Sequence, residues 1–589
     1  MGANQQCIFM ELNNPNSSSP RKALDGIKTQ PANAYRPSID SIRPDPIRSP
    51  SFKVPAAIPN QATNRSMLNT SIPAKGIGSK QNFRAKRRGK NSSGKRPHSK
   101  KKKILSLVAL LIVGGLAAAG WDAWQLYHKV NHLSVGNLTA SVNGDENILV
   151  AGSTNRCNLT VQNAQWGFCS QGVTGVNSDV IFVVHLNATT HAVSVLSIPR
   201  DTFVPNARSG AQAFKIDAAL YQGPSQLVKA IEVSFGIPIQ HYVEVGFDGF
   251  VNIVNAVGGV KMYFPMPVYD AYSHLKILTP GCKLLNGVEA LQVVRARHLQ
   301  YKGPGVTTND YNYWPQEVAS DIARITRAHE FIKVLASAIL AKGLANPITD
   351  QKLIDAIAPQ VQVDAGLSVP VMLQLIAAFH SVGINNVPEL TLPIALTNFG
   401  SYIYGGYNYG DVVFPAAPQD VNTIDQFLGI TSATNPLTDK PFPAANTISV
   451  SVVNGSGTPN QASVIASGLG SLGFQINGQP GTAAPLSTQA QETIVYYGSP
   501  STQGDALAVA SKLSGYVVLS HNASDVSTGS LVTVLTGTNA AVIGASSSTQ
   551  GASGAPNAVA ASTNANALAP PINANQSLAP WDPRACPGS

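Results

Sequence analysis

Acidic residues are what the first part of this sequence has least of. Residues 1–103 hold 4 Asp/Glu against 21 Lys/Arg, a balance of +17, whereas the remainder holds 27 against 20, a balance of −7. A split of this size marks a basic tail attached to something of another character. The tail is rich in Asn, Ser, Pro and Lys and lacks sustained apolar periodicity. It cannot bury enough surface to offset chain entropy, so disorder is expected over 1–103. Against this stands one long apolar run, "ILSLVALLIVGGLAAAG" at 104–120, with 17 uncharged residues. As a helix it is roughly 26 Å long, just short of a hydrocarbon core of about 30 Å. Lys100–Lys103 snorkel at one end, and Trp121, Trp124 and Tyr127 form an aromatic belt at the other. The positive-inside rule then keeps the tail in the cytoplasm and sends everything after Trp121 outside. A signal peptide cleaved near "LAAAG" would need a short leading region, and here that region is about a hundred residues long. An uncleaved, single-pass membrane anchor over 104–122 is therefore expected.

Cysteine is scarce as well, with 5 in 589 residues. No Cys-x-x-Cys or Cys/His spacing points to zinc. Cys7 falls on the inner side, while Cys157, Cys169, Cys282 and Cys586 fall outside, where disulfides persist. Four cysteines allow three pairings. Cys157–Cys169 closes a short loop and is favoured, which leaves Cys282–Cys586. The basic run "RAKRRGKNSSGKRPHSKKKK" lacks a helix-turn-helix pattern and interleaved aromatics, which argues against nucleic acid as the partner.

The outer part divides by composition into a stem (123–145), an α/β domain (146–435), a Pro/Asn/Ala linker (436–446), a small unit (447–540) and a low-complexity Ala/Ser/Asn tail (541–589). The fold class expected is α/β: a mixed central sheet flanked by helices on both sides, followed by a small C-terminal α+β domain. In that small unit strand and helix patterns alternate in a βαβ-like order, suggesting a ferredoxin-like or related sandwich, with no titratable cluster.

Chemistry concentrates in four stretches. "NSDVIFVVHLN" places Asp179 at the mouth of a buried strand, Val180–Leu186. "SVLSIPRDTF" reads as the neighbouring strand, joined through "NATTHA" as a hairpin. The start of the first strand and the end of the second then meet, bringing Asp179 to the edge that carries Arg200 and Asp201. "LQVVRARH" sets Arg295 and Arg297 two apart: on a strand both share a face and repel unless an anion lies between them, and on a helix they diverge by roughly 200°. "SDIARITRAHEFIKVLA" is helical, with Ile322, Ile325, Phe331 and Leu335 as apolar contacts and Asp321, Arg324 and Arg327 on the opposite stripe. That stripe is either a solvated face or part of a site. Arginine's planar fork suits phosphate oxygens, and a carboxylate among arginines suggests Mg²⁺ bridging phosphate oxygens.

In order and spacing, "ILVAGSTNR", "NSDVIFVVHL", "VSVLSIPRDTFV", "FKIDAALYQGP", "YVEVGFDGFVNIVNAVGGV", "LNGVEALQVVRARH" and "SDIARITRAHEFI" closely resemble the LytR-CpsA-Psr family over roughly residues 146–435. The 447–540 unit resembles the LytR C-terminal domain, with "VVNGSG" as its marker, and "PWDPRACP" resembles endings of actinobacterial members. The resemblance implies a glycopolymer phosphotransferase. Such an enzyme moves a cell-wall polymer from a polyprenyl-pyrophosphate carrier onto peptidoglycan, at the outer face of the cell membrane. It further implies a greasy pocket for the prenyl chain, Mg²⁺ on Asp179, and pyrophosphate held by Arg200, Arg295, Arg297, Arg324 and Arg327, with Asp179, Arg200 and Asp201 as the catalytic set. Membrane lipid is an implied contact, and nucleic acid is not.

Two departures stand out. Where the family has Gly-Ser-Asp-x-Arg this chain has "GSTNR", with Thr154 in place of the aspartate, and Asn177 replaces an arginine before the strand. The family's glutamine is also absent near Ala328 and His329. A polyprenyl-phosphate-binding scaffold and a lipid-linked pyrophosphatase are the alternatives. Lys215 matches a family lysine but equally suits an exposed turn. Asp248 reads as a helix N-cap, with Gly258 and Gly259 as the stop. The loop 301–316 offers Tyr311, Tyr313 and Trp314 to an acceptor glycan, or serves as a mobile lid.

Overall fold

The computed structural model describes residues 130–157, 166–318, 320–339, 355–368, 386–396, 402–482, 490–544 and 578–587, with a few single positions between them. The basic tail and the apolar run at 104–120 lie outside these residues. Among the described residues no helix is long and apolar enough to cross a membrane.

The centre is a seven-stranded mixed sheet. Its strands in chain order are β1 (Asn131–Leu133), β2 (Glu146–Ser153), β3 (Ser178–Leu186), β4 (Val193–Ser197), β5 (His241–Val245), β6 (Gln362–Asp364) and β7 (Glu389–Thr391). In space they run β1-β6-β5-β2-β3-β4-β7. The expected hairpin is present: β3 and β4 pair antiparallel, with Phe182 opposite Ser197 and Leu186 opposite Val193. Period-2 alternation gives the sheet two apolar faces, because successive side chains point to opposite sides. Leu149, Ala151, Ile181, Val183 and Leu196 are fully buried on one face with helix α1 (Pro224–Phe235). Truncating one of these leucines to alanine would cost about 2–5 kcal/mol.

Val150, Gly152, Val180 and Phe182 face the other way, toward α2 (Phe247–Ala256), α3 (Gly287–Arg295) and α4 (Ser320–Ile339). The three layers match the expected α/β class. Asn286 caps α3, and Glu289 reaches back to it in a capping box. Gly287 lets α3 touch α2, since a Cβ there would lie 2.2 Å from the Val251 carbonyl oxygen. The turn before α2 differs from expectation: Gly246 is its N-cap and Asp248 sits in the first turn, while Gly258 and Gly259 follow the helix end with positive φ as expected.

Of the two readings open for "LQVVRARH", the helical one holds as far as Arg295. Residues up to Arg295 belong to α3, and Ala296 leaves the helix in an extended conformation. Helix α5 (Gln419–Leu428) covers β4. The small unit forms a second mixed sheet on two helices, α6 (Gln461–Ser471) and α7 (Gln503–Ala510). Its strand Val517–His521 has no counterpart in the sequence reading. Both disulfides form as paired above, Cys157–Cys169 and Cys282–Cys586.

Candidate functional site: an arginine-rich mouth on an apolar cavity

Three helices and one sheet face enclose a cavity of about 500 Å³. Each helix contributes a stripe at helical spacing: Phe247, Phe250 and Ile253 from α2, Leu291 and Val294 from α3, and Ala328, Phe331, Ile332 and Leu335 from α4. The sheet adds Val150, Val180 and Phe182. Asp179, Arg200, Arg295, Arg297 and Arg324 line the same cavity.

A local irregularity aims Asp179. Along β2 and β3 Gly152 pairs with Val180 but Ser153 pairs with Ser178, so Asp179 is the extra residue of a bulge. A bulge turns two consecutive side chains toward one face, and Asp179 and Val180 both line the cavity. Arg200, just past β4, donates to Asp179 through Nη1. Asp201 is held by Lys215 at 3.0 Å and Arg297 at 3.0 Å, with Arg200 at 3.5 Å. Lys215 is therefore part of this cluster and not a free turn lysine. Arg297 also reaches Asp321 at 3.1 Å, and Arg324 reaches Asp321 at 3.0 Å while donating to the Asp179 backbone carbonyl at 2.8 Å.

Burial pushes Asp201 upward, but Arg200, Lys215 and Arg297 outweigh it and hold its carboxyl below the usual range. Burial disfavours the charged form of Arg200 as well, yet Asp179 and Asp201 more than reverse this. Arg295 has no carboxylate within ion-pair distance among the described residues; its guanidinium lies over the Phe247 ring at 4.9 Å.

Arg327 is a correction to the expected anion-binding set. It is 0% exposed and faces away from the cavity. Its Nη1 donates to Glu317 Oε2 at 2.6 Å and to Asp582 Oδ1 at 2.8 Å; its Nη2 donates to Glu317 Oε1 at 2.8 Å and to the Ala296 carbonyl at 2.6 Å. The expected tail region also ends differently from its composition, because 578–587 folds onto the main domain. Arg584 and Ala585 pair antiparallel with Tyr263 and Met262, and Trp581 stacks on Tyr301 at 3.9 Å. Of the loop aromatics, Trp314 is buried and donates to the Thr308 carbonyl, Tyr311 packs on Tyr269, and Tyr313 is 77% exposed.

Two participants were missed. Asp217 is 5% exposed, and burial pushes it up to about 6; Arg200 draws it back, while Asp201 and Asp179 push it further up. Its signal is the one acid in "FKIDAALY", two residues after Lys215. Arg156 stands over the Phe247 ring at 5.5 Å, and its signal is the final position of "GSTNR". The two departures meet here. Thr154 Oγ1 accepts from the Asn177 backbone N–H at 2.9 Å, and the Asn177 amide lies 3.5 Å from Asp217. Ala328 lines the cavity, whereas His329 turns to Ser197, and burial pushes its imidazole down to about 4.

Among the described residues no group of three or more His, Cys, Asp or Glu is placed to hold a metal ion. Among the described residues Asp179 is the one carboxylate lining the cavity, and it stays partly open beside Arg200. A lone, partly open carboxylate would suit Mg²⁺ only where a ligand's oxygens and waters complete its shell, since Mg²⁺ keeps several waters.

These features define an α/β domain in which a cluster of arginines stands at the mouth of an apolar cavity. Residues 125–413 match the model of the LytR_cpsA_psr family. A second model, the LytR cell envelope-related transcriptional attenuator, matches residues 447–539. The chain is 30% identical over 281 residues to the probable cell wall biosynthesis protein LcpB of Corynebacterium glutamicum, covering 47% of this chain and 61% of that protein. To the cell wall biosynthesis protein LcpA of the same organism it is 26% identical over 472 residues, covering 72% of this chain and 83% of that one. To the polyisoprenyl-teichoic acid–peptidoglycan teichoic acid transferase TagU of Bacillus anthracis it is 28% identical over 200 residues, covering 34% of this chain and 63% of TagU.

Proposed function

We propose that this chain transfers a glycopolymer from a polyprenyl-pyrophosphate carrier to a hydroxyl of peptidoglycan. It would do so on the outer face of the cell membrane, tethered there by the apolar run at 104–120. One observation carries the reading: cations outnumber carboxylates where the apolar cavity opens. Arg200, Arg295, Arg297 and Arg324 line the cavity with Asp179 as the one carboxylate among the described lining residues, while Arg156, Lys215, Asp201, Asp217, Asp270 and Asp321 stand behind them. An excess of cations at the opening suits a diphosphate diester, which carries one negative charge on each phosphorus. The relatives' names point the same way, to cell wall biosynthesis and to teichoic acid transfer onto peptidoglycan.

The prenyl chain occupies the apolar cavity, which excludes water from it. Arg200, Arg295, Arg297 and Arg324 grip the phosphate oxygens, and Asp201 and Asp321 brace three of these guanidinium groups in position. The acceptor oxygen forms a bond to the phosphorus bearing the sugar as the bond to the bridging oxygen breaks. Charge grows on the departing lipid phosphate, where the arginines are already aimed, so the environment needs little reorganisation. Asp179 would hold Mg²⁺, which when bound supplies charge neutralisation across the phosphate oxygens.

The test is an assay of the detergent-solubilised chain with Mg²⁺, a polyprenyl-pyrophosphate glycan and peptidoglycan. Covalent polymer on peptidoglycan is the expected product. Free sugar phosphate would mark a pyrophosphatase instead. Tight lipid binding with no product would mark a scaffold, consistent with the changes at Thr154 and Asn177.

A further inference from the structure

The segment 578–587 is joined to the site by one continuous set of contacts. Asp582 and Glu317 share Arg327, and Arg327 also binds the Ala296 carbonyl, which lies between Arg295 and Arg297 in the chain. Arg327 sits one turn beyond Arg324 on α4. Ala585 donates its backbone N–H to Glu330 of the same helix at 2.8 Å. Asp582 is itself fixed: its Oδ2 accepts from the Ala579 N–H at 2.9 Å, and the disulfide to Cys282 anchors the segment four residues later. Three cavity arginines thus lie on backbone pinned through a single buried guanidinium, and one of that guanidinium's two carboxylate partners comes from a segment 255 residues away.

We infer that Asp582 is a positioning residue for the site: through Arg327 it fixes the spacing of Arg324 on α4 against Arg295 and Arg297 at the end of α3. The segment 578–587 is thereby a working part of the anion site and not a passive tail. A buried arginine keeps its charge. With Asp582 removed, Arg327 must turn wholly to Glu317 or toward solvent, and its hold on the Ala296 carbonyl changes with it. The prenyl-diphosphate readout below rests on the proposed function; the exchange readout does not.

The experiment compares the full chain with Asp582→Asn and Asp582→Glu. Amide hydrogen exchange is followed over 287–297 and 320–339, with 461–471 in the small unit as the internal control, and binding of geranylgeranyl diphosphate is measured on the same samples. Asp582→Asn is expected to speed exchange at least tenfold in 287–297 and 320–339, leave 461–471 unchanged, and weaken binding at least fivefold. Asp582→Glu is expected to recover part of both. Should Asp582→Asn not fold, Trp581→Ala loosens the same segment from Tyr301 and is read identically. Unchanged exchange in both helices, or a uniform rise across the whole chain, overturns the inference. If the unaltered chain fails to bind the prenyl diphosphate, the proposed function falls, and the exchange data still decide the role of Asp582.

Discussion

Arg324 and Arg327 lie one turn apart on α4, are 3% and 0% exposed, and serve opposite ends. Around Arg324 the cations exceed the carboxylates and one side opens into the cavity. Around Arg327 the carboxylates exceed the cation, and the residue does not line the cavity. Burial alone therefore does not distinguish an arginine beside an open cavity from one enclosed by protein partners. What distinguishes them is whether protein partners complete the charge or leave an excess for a ligand. A buried pair with one partner removed leaves an uncompensated charge in a poor solvent, whereas an excess of cations beside a cavity costs least when an anion enters.

The largest expected effect tests the structural side of this contrast. Arg327→Ala leaves Glu317 and Asp582 buried without their counter-ion and should lower stability by about 3–5 kcal/mol, read by chemical denaturation. Near-normal stability with abolished transfer would reverse the assignment of the two arginines. Arg200→Ala tests the other side. Transfer should fall by about 10²–10³-fold, with a smaller change in unfolding than Arg327→Ala produces.

Asp217 offers a pH test. Its folded-state value is raised to about 6, above the ordinary 3.8, so the folded state holds the proton more tightly. Its contribution is therefore complete below the ordinary value and is lost as pH rises toward and past 6, by about 3 kcal/mol at most. Asp217→Asn should flatten stability between about pH 4 and pH 7; an unchanged pH profile would remove Asp217 from the cluster. The smallest effect expected is from Ile253→Trp, which fills part of the cavity at an overpacking cost of about 1–3 kcal/mol. It should weaken binding of a long prenyl diphosphate more than that of a short one. Equal loss for both would mean that the chain does not lie along α2.

Much of the frame was readable from residue pattern. Alternating apolar runs located β3 and β4, the six-residue "NATTHA" between them made a hairpin, and the hairpin brought Asp179 to Arg200. Helical spacing located α4, and loop length favoured the Cys157–Cys169 pairing. The failures share one cause. Arg327 was placed with Arg324 because spacing along a helix assigns residues to a stripe but does not say what packs against each turn. Asp217 escaped notice because a carboxyl in an apolar run reads as a turn residue until its neighbours are known. The anchored stretch 578–587 could not be told from the low-complexity tail before it, since its partners, Tyr301, Glu317 and Arg327, are more than 250 residues away.

By itself the sequence determined the local chemistry: which runs alternate, which stretches are helical, and which charged residues exist to be gathered. Those follow from short-range sterics, periodicity and composition. The tertiary structure alone decided which charges balance one another. The bulge aims Asp179, the break after α3 separates Arg295 from Arg297, and Asp582 satisfies Arg327 so that the unbalanced cations remain at the cavity. Electrostatic balance is set by distances of a few ångströms between segments far apart in the chain, and no spacing along the chain encodes those distances.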